Sequence, residues 1–168
     1  MADNDTNAQE DRLPQPNPAL KSLDVMVGTW ELKGRESGPV GEIHGRPTFE
    51  WMEGGFYLVQ HVDIDYIGRR IVGTEYIGYD QENDNLRSYF FSNEGPGPFG
   101  RVALEYVWEV GEDTFTIWGG EVGSPASFKG RFSDDRNTIT GRWEWPGGGY
   151  EATMTRAKQT GQDERCRE

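Results

Sequence analysis

The amino-acid sequence predicts an all-β protein, an antiparallel up-and-down barrel of about ten strands with a short N-terminal helix. Three observations support this fold class. Glycine supplies 23 of the 168 residues without a collagen repeat, which suits tight turns and strand kinks. Aromatic residues make up 12% of the chain and suit broad pleated surfaces. Short apolar runs alternate with turn signals, and only the first run has helical spacing.

The helix is predicted where the apolar pattern begins, in the segment LKSLDVMVGTWELKG (20–34). Leu20, Leu23 and Val27 are spaced as on one face of a helix, and the pattern becomes strand-like at Gly28. A single short helical turn is therefore expected to lead directly into the first strand.

About ten strand-like runs follow, separated by turn signals such as QENDN, SDDRN and PGGG. In chain order they are GTWELKGRE (28–36), RPTFEWME (46–53), FYLVQHVDID (56–65), RIVGTEYIGYD (70–80), LRSYFFS (86–92), VALEYVWEV (102–110), TFTIWGGE (114–121), SFKGRFS (127–133), TITGRWEW (138–145) and YEATMTRA (150–157).

Several runs alternate between apolar and polar residues, as a sheet with one buried face requires. In VALEYVWEV, Tyr106 and Trp108 share the apolar side, and in TITGRWEW Trp143 and Trp145 do. The short turns imply an antiparallel meander, and closure into a barrel would remove its unpaired edges. A two-sheet sandwich is the alternative. A barrel of this size can hold one small ligand inside.

The chain length fits one domain, which we place at residues 19–157. Residues 1–18 are polar and contain three prolines, and residues 158–168 are similarly polar. Because such segments cannot bury enough apolar surface to become ordered, both are predicted to be disordered.

Charge and composition exclude several kinds of partner. The chain has 17 basic and 29 acidic residues, a net charge of -12, which argues against binding to nucleic acid or to anionic membranes. The lone Cys166 excludes a disulfide within the chain. The N-terminus, MADNDTNAQE, contains neither a signal peptide nor a membrane-spanning run, which predicts a cytoplasmic location.

Four elements in order, VGTWELKG, GGFYLVQ, IGYD and GRWEWPGG, resemble a bacterial lipocalin-like family of calycin type whose domain has no established function. The similarity covers roughly residues 18–157. It implies a lipocalin-like barrel with a hydrophobic pocket, plugged at one end by the short helix. On that reading Gly28 permits the sharp turn into strand one, and Trp30 points inward and closes the floor.

Polar side chains at apolar positions are the best candidates for ligand contacts, because a buried charge is costly unless it is paired or used. Gln60 and Glu75 lie on the apolar sides of their strands. Arg142 would hold a carboxylate if it faced inward, as lumenal arginines do in related fatty-acid-binding proteins. The alternative places Arg142 on a solvated outer face. The predicted ligand-binding residues are Trp30, Gln60, Glu75, Tyr79, Trp108, Trp118, Arg142 and Trp143.

Nothing in the sequence predicts a metal site or a cofactor. The two histidines, His44 and His61, have no metal-ligand spacing, and His44 is expected to be exposed in a turn. The nitrobindins, a related calycin group, bind haem through a histidine late in the chain, whereas no histidine follows His61 here. A Gly-x-Ser-x-Gly nucleophile turn and a phosphate loop are also absent from the sequence.

The sequence therefore predicts a protein that binds a small, mostly hydrophobic molecule in the barrel lumen. One alternative is an enzyme, an isomerase, cyclase or hydrolase, that uses Glu75, His61 or Tyr79 as an acid or base in the same pocket. The other is a ligand-free structural module that forms a homodimer through an outer sheet face.

Overall fold

The computed structural model of the protein describes residues 13–38, 41–96 and 101–158. Within these ranges the chain forms a 3-10 helix, Pro18–Met26, followed by eleven strands. The strands are β1 (Gly28–Glu36), β2 (Glu42–Gly45), β3 (Thr48–Trp51), β4 (Leu58–Tyr66), β5 (Arg69–Asp80), β6 (Asn85–Ser92), β7 (Leu104–Val110), β8 (Thr114–Gly119), β9 (Ser127–Phe132), β10 (Thr138–Trp145) and β11 (Gly148–Arg156).

The strands form one closed antiparallel barrel, which confirms the predicted fold class. From β4 to β11 each strand pairs with the next strand in the chain, and β11 pairs with β1 to close the sheet. Strands β2 and β3 share one position, because both pair with β1 on one side and with β4 on the other. The barrel thus has ten strand positions, and the sandwich alternative is excluded.

Strand β2 was not predicted, since the segment around His44 has the glycine-flanked appearance of a turn. His44 is exposed, as expected, but it lies on β2 and pairs with Lys33 of β1. Ile43 is the buried residue of this short strand. Pro47 separates β2 from β3, where a residue without a backbone N–H interrupts the ladder.

The helix lies across the barrel end at which β1 begins. Its N-cap is Asn17, whose side chain accepts a hydrogen bond from the Ala19 backbone N–H at 2.9 Å. The buried helix residues are Leu20, Leu23 and Met26. Met26 thus occupies the place predicted for Val27, which lies beyond the last helical residue and is 36% exposed.

Arg156, at the end of β11, connects the helix to the barrel through hydrogen bonds and a cation–π contact. Its guanidinium donates to the carbonyl oxygens of Val25 at 3.0 Å and Val27 at 2.6 Å. It also lies 4.3 Å from the centroid of the Trp30 ring. Gly28 has a φ of 125°, and a Cβ there would approach Arg156 Nη1 to 2.9 Å. The positive φ therefore favours glycine at this position, whereas the close contact involves only the flexible end of the Arg156 side chain.

A strip of exposed apolar side chains runs along the outer face of β5 and β6. Tyr76 pairs with Tyr89 across the two strands, and its ring meets Phe91 edge-on at 6.5 Å. These three side chains are 37%, 45% and 44% exposed. The homodimer stays a prediction, and this strip is the surface that would carry it.

The predicted disordered segments, 1–18 and 158–168, lie largely outside the described residues, as does Cys166, and they stay predictions. The helix itself begins at Pro18, the last residue of the predicted arm. Among the described residues, no helix combines the length and the apolar character that crossing a membrane requires.

Candidate functional site

A cavity of about 1310 Å³ occupies the interior of the barrel. Met26 of the helix contributes to its closed end. At the other end it is bordered by Arg101, Glu121 and Pro146, which lie in the connections after β6, β8 and β10. Ligand pockets commonly enclose roughly 300–1,000 Å³, so this cavity has room for a small molecule.

Small residues on the inner wall leave space for aromatic rings. Gly141 of β10 pairs with Gly130 of β9 and with Ala152 of β11. A Cβ at Gly141 would lie 2.2 Å from the Phe128 ring, and one at Gly130 would lie 2.5 Å from the Phe115 ring. Any larger residue at these two glycines would displace the rings. The glycine-rich sequence thereby produces an aromatic cavity wall.

Glu75 is the buried acidic residue of the cavity wall, with 6% of its surface exposed. Ser88 Oγ, on β6, donates to Glu75 Oε1 at 2.5 Å and accepts from Trp108 Nε1 at 2.9 Å. Burial raises the pKa of Glu75 to about 7, although the hydrogen-bonding groups of Ser88 and Trp108 partly oppose the rise. Glu75 therefore changes between its two charge states near neutral pH.

The second carboxyl oxygen of Glu75 is available to a ligand. Within the described part of the chain, Ser88 donates to Oε1 and the Trp108 indole lies close enough to the carboxyl group to lower its pKa, while no donor bonds to Oε2 and the side-chain amide of Gln60 makes no hydrogen bond. Gln60 lies directly across from Glu75 in the β4–β5 pairing, and both residues line the cavity. Together they form a pair of polar side chains on a largely apolar wall.

Tyrosine hydroxyl groups add further hydrogen-bonding capacity. Tyr106 and Tyr150 line the cavity, and burial raises the pKa of each phenol well above its usual range. The charge of Glu75 raises the pKa of Tyr106 further. Both phenols are therefore neutral at physiological pH. The Tyr106 ring lies 5.7 Å from that of Trp143.

Sequence reasoning did not select these two tyrosines as site residues. Tyr106 shares the inward side of β7 with Trp108, and this alternation was the signal that could have found it. Tyr150 lies near the start of β11, directly after a glycine-rich turn. Glycines have no side chain, so the alternation that would place Tyr150 on the inner face cannot be recognised in this part of the sequence.

The eight predicted ligand-binding residues divide by position. Those that line the cavity are Gln60, Glu75, Trp108 and Trp143. Trp30 is fully buried beneath the cavity and donates its indole N–H to the Met26 carbonyl at 2.8 Å. It points inward, but it packs against the helix and does not line the cavity. Contact with a ligand stays a prediction for the four lining residues.

Trp118 and Arg142 face outward, so their predicted lumenal positions are wrong. On β8 the inward positions belong to Phe115 and Ile117, and alternation turns Trp118 outward, where its indole N–H donates to Glu109 at 3.3 Å. Arg142 pairs with Glu144 at 2.9 Å on the outer wall. The solvated-face alternative therefore holds for Arg142.

Tyr79 and His61 also lie away from the cavity wall. Tyr79 is near the helix end of the barrel, where its hydroxyl donates to Asp84 in the β5–β6 turn. That hydrogen bond, followed by partial burial, raises the pKa of Tyr79. His61 is on the outer face of β4, with its Nε2 at 2.9 Å from Glu50 Oε1. The pocket position predicted for Tyr79 is thus wrong, the enzyme alternative loses His61 as its acid or base, and Glu75 alone of the three acid–base candidates faces the cavity.

Within residues 13–38, 41–96 and 101–158, no group of three or more His, Cys, Asp and Glu side chains is arranged to hold a metal ion. The carboxylates at the cavity are spread over separate strands and loops. Glu75 lies inside the barrel, whereas Glu105 and Glu121 lie toward its open end.

The barrel is similar to a protein of known structure. The crystal structure of Rv2717c from M. tuberculosis superposes with a TM-score of 0.53 at 14% sequence identity, covering 86% of this chain and 100% of that chain. At this identity the likeness concerns the fold alone. The sequence matches none of the protein-family models, and the curated proteins contain no significant match to it.

Proposed function

We propose that the protein binds a small, mostly apolar molecule in the lumen of its barrel. The observation that supports this most directly is the cavity of about 1310 Å³ with an aromatic wall and a few convergent polar groups. Burial of apolar ligand surface contributes about 25 cal/mol per Å², and the polar groups set the orientation of the ligand. Glu75 and Gln60 are the orienting groups.

Filling the cavity tests this proposal. Ala152 is buried on the inner wall, so we expect Ala152→Phe to place a phenyl ring in the space that a ligand needs. The affinity for Nile red, a neutral apolar dye, should fall by about tenfold or more because ring and dye compete for one volume. Fluorescence titration measures the affinity.

Thr153→Phe is the matched control, since Thr153 is the exposed neighbour on the same strand. This variant should bind the dye as the wild type does. Circular dichroism verifies that both variants are folded. Equal dye binding by Ala152→Phe and Thr153→Phe would refute the lumen as the binding site.

Acid–base catalysis in the same cavity is a second candidate function. It is favoured by Glu75, whose pKa is raised to about 7 by burial, so that this carboxyl group can donate or accept a proton near neutral pH. Once a turnover is identified, Glu75→Gln should lower it by roughly 10²–10⁴-fold while Nile red binding persists. Unchanged turnover would remove Glu75 from this role.

A further inference from the structure

The charges around the cavity are predominantly negative. Four charged residues line it in the described part of the chain, and three of them are the acidic residues Glu75, Glu105 and Glu121. Glu105 is paired with Arg87 and also lies 3.4 Å from Arg101, the basic residue of the lining, whose side chain is 71% exposed. The interior of the barrel thus presents an acidic group, Glu75, without a basic partner among the described residues.

Glu75 is placed to receive a donor from inside the cavity. Only 6% of its surface is exposed, and the Ser88 hydroxyl donates a hydrogen bond to its Oε1. The neighbouring groups are neutral: Gln60 on β4, Ser88 on β6 and the phenol of Tyr106 on β7. A carboxylate in such surroundings carries a desolvation penalty that a cation could offset.

The aromatic wall complements a cation in a second way. Tyr66 meets Tyr150 edge-on at 5.8 Å, and Tyr150 meets Trp145 at 6.1 Å. All three residues line the cavity, as do Tyr106 and Trp143. The faces of tyrosine and tryptophan rings attract organic ammonium groups, most strongly where water is excluded.

On the basis of the proposed lumenal binding, we infer that the ligand is an organic cation, an ammonium group on an apolar scaffold. Its N–H donates to the free Oε2 of Glu75 and to the amide oxygen of Gln60, and its apolar part lies against the aromatic wall. A fatty-acid carboxylate is disfavoured, because it would face Glu75, and Arg142 is on the outer wall beside Glu144.

Three probes with the same alkyl chain test this inference: decylamine, 1-decanol and decanoate. Their affinities are measured by displacement of Nile red at pH 8. We expect decylamine to bind about 10- to 100-fold more tightly than 1-decanol, the gain that a charge-assisted hydrogen bond supplies. Decanoate should bind most weakly, since it brings a second negative charge to Glu75.

Glu75→Gln removes the charge and retains the shape of the side chain. In this variant the advantage of decylamine over 1-decanol should fall to within about threefold, while the affinity for 1-decanol stays near that of the wild type. Glu151→Gln is the matched control, because the Glu151 side chain is 75% exposed on the outer wall, and it should keep the wild-type ranking.

The wild type at lower pH provides a measurement that is independent of any variant. At pH 5.5 Glu75 is protonated, as its pKa of about 7 requires, whereas Gln60, Ser88 and Tyr106 stay neutral and decylamine stays charged. Decylamine should therefore lose about tenfold in affinity between pH 8 and pH 5.5, and 1-decanol should not.

The outcomes separate the inference from the proposed function. Equal displacement by the three probes, or tighter binding of decanoate, overturns the cationic ligand and leaves lumenal binding standing. A decylamine advantage that survives both Glu75→Gln and pH 5.5 also overturns it. Failure of Nile red to bind the wild type at all refutes the proposed function itself.

Discussion

Trp30→Ala is expected to lower the free energy of unfolding by roughly 3–5 kcal/mol, the range found for deleting a fully buried large aromatic side chain. Trp30 has no exposed surface. Its removal would leave a void between the helix and the barrel, and the Met26 carbonyl would lose its 2.8 Å hydrogen bond. Arg156 would also lose the ring over which its guanidinium lies. Chemical denaturation followed by circular dichroism measures the loss.

Trp118→Ala is the comparison for this experiment. Trp118 is half-buried on the outer wall, where its indole N–H makes a 3.3 Å hydrogen bond to Glu109. We expect a loss of about 1 kcal/mol, as is usual for side chains outside a packed core. Similar losses for the two variants would contradict the role of Trp30 as the residue that joins helix and barrel.

Glu75→Gln is expected to remove a pH-dependent destabilisation that reaches roughly 3 kcal/mol above pH 7. Burial raises the pKa of Glu75 from 4.5 to about 7 in the folded protein. At a pH between 4.5 and about 7, Glu75 keeps its proton in the folded state but has released it in the unfolded state. Stability contributed by this group is therefore lost as pH rises from 4.5 to 7, and the loss is complete above pH 7. Glutamine has no charge to bury.

Unfolding curves at pH 4.5 and pH 8 measure this effect as a difference between variants. The stability of Glu75→Gln relative to the wild type should increase between the two pH values by roughly 3 kcal/mol. Because the variant and the wild type are compared at the same pH, the contributions of their other carboxyl groups cancel. The exposed outer-wall variant Glu151→Gln should show no such increase. A constant difference between Glu75→Gln and the wild type would mean that Glu75 is solvated in the folded protein.

Several elements of the site follow from local patterns. Alternation on β4 and β5 placed Gln60 and Glu75 on the buried side, and the structure has both at the cavity wall. The same pattern correctly turned Trp108 and Trp143 inward. Trp118 was wrongly predicted to contact the ligand, because Phe115 and Ile117 take the inward positions of β8 and the same alternation turns Trp118 outward.

Other features depend on which strands become neighbours. The hydrogen bonds that join Glu75, Ser88 and Trp108 connect three strands through residues up to 33 positions apart in the chain, counting from 75 to 108. Nothing in the local sequence of β6 marks Ser88 as the partner of a buried carboxyl group. The division of one barrel position between β2 and β3 likewise requires pairing with both β1 and β4.

The sequence by itself determined the all-β class, most strand positions and the inward side of the regularly alternating strands, because a period of two is a local property of the chain. The tertiary structure decided that Glu75 has an unoccupied oxygen in an aromatic cavity and that Arg142 lies outside it. These features arise from strand register and barrel closure. Both are set by contacts between residues far apart in the sequence.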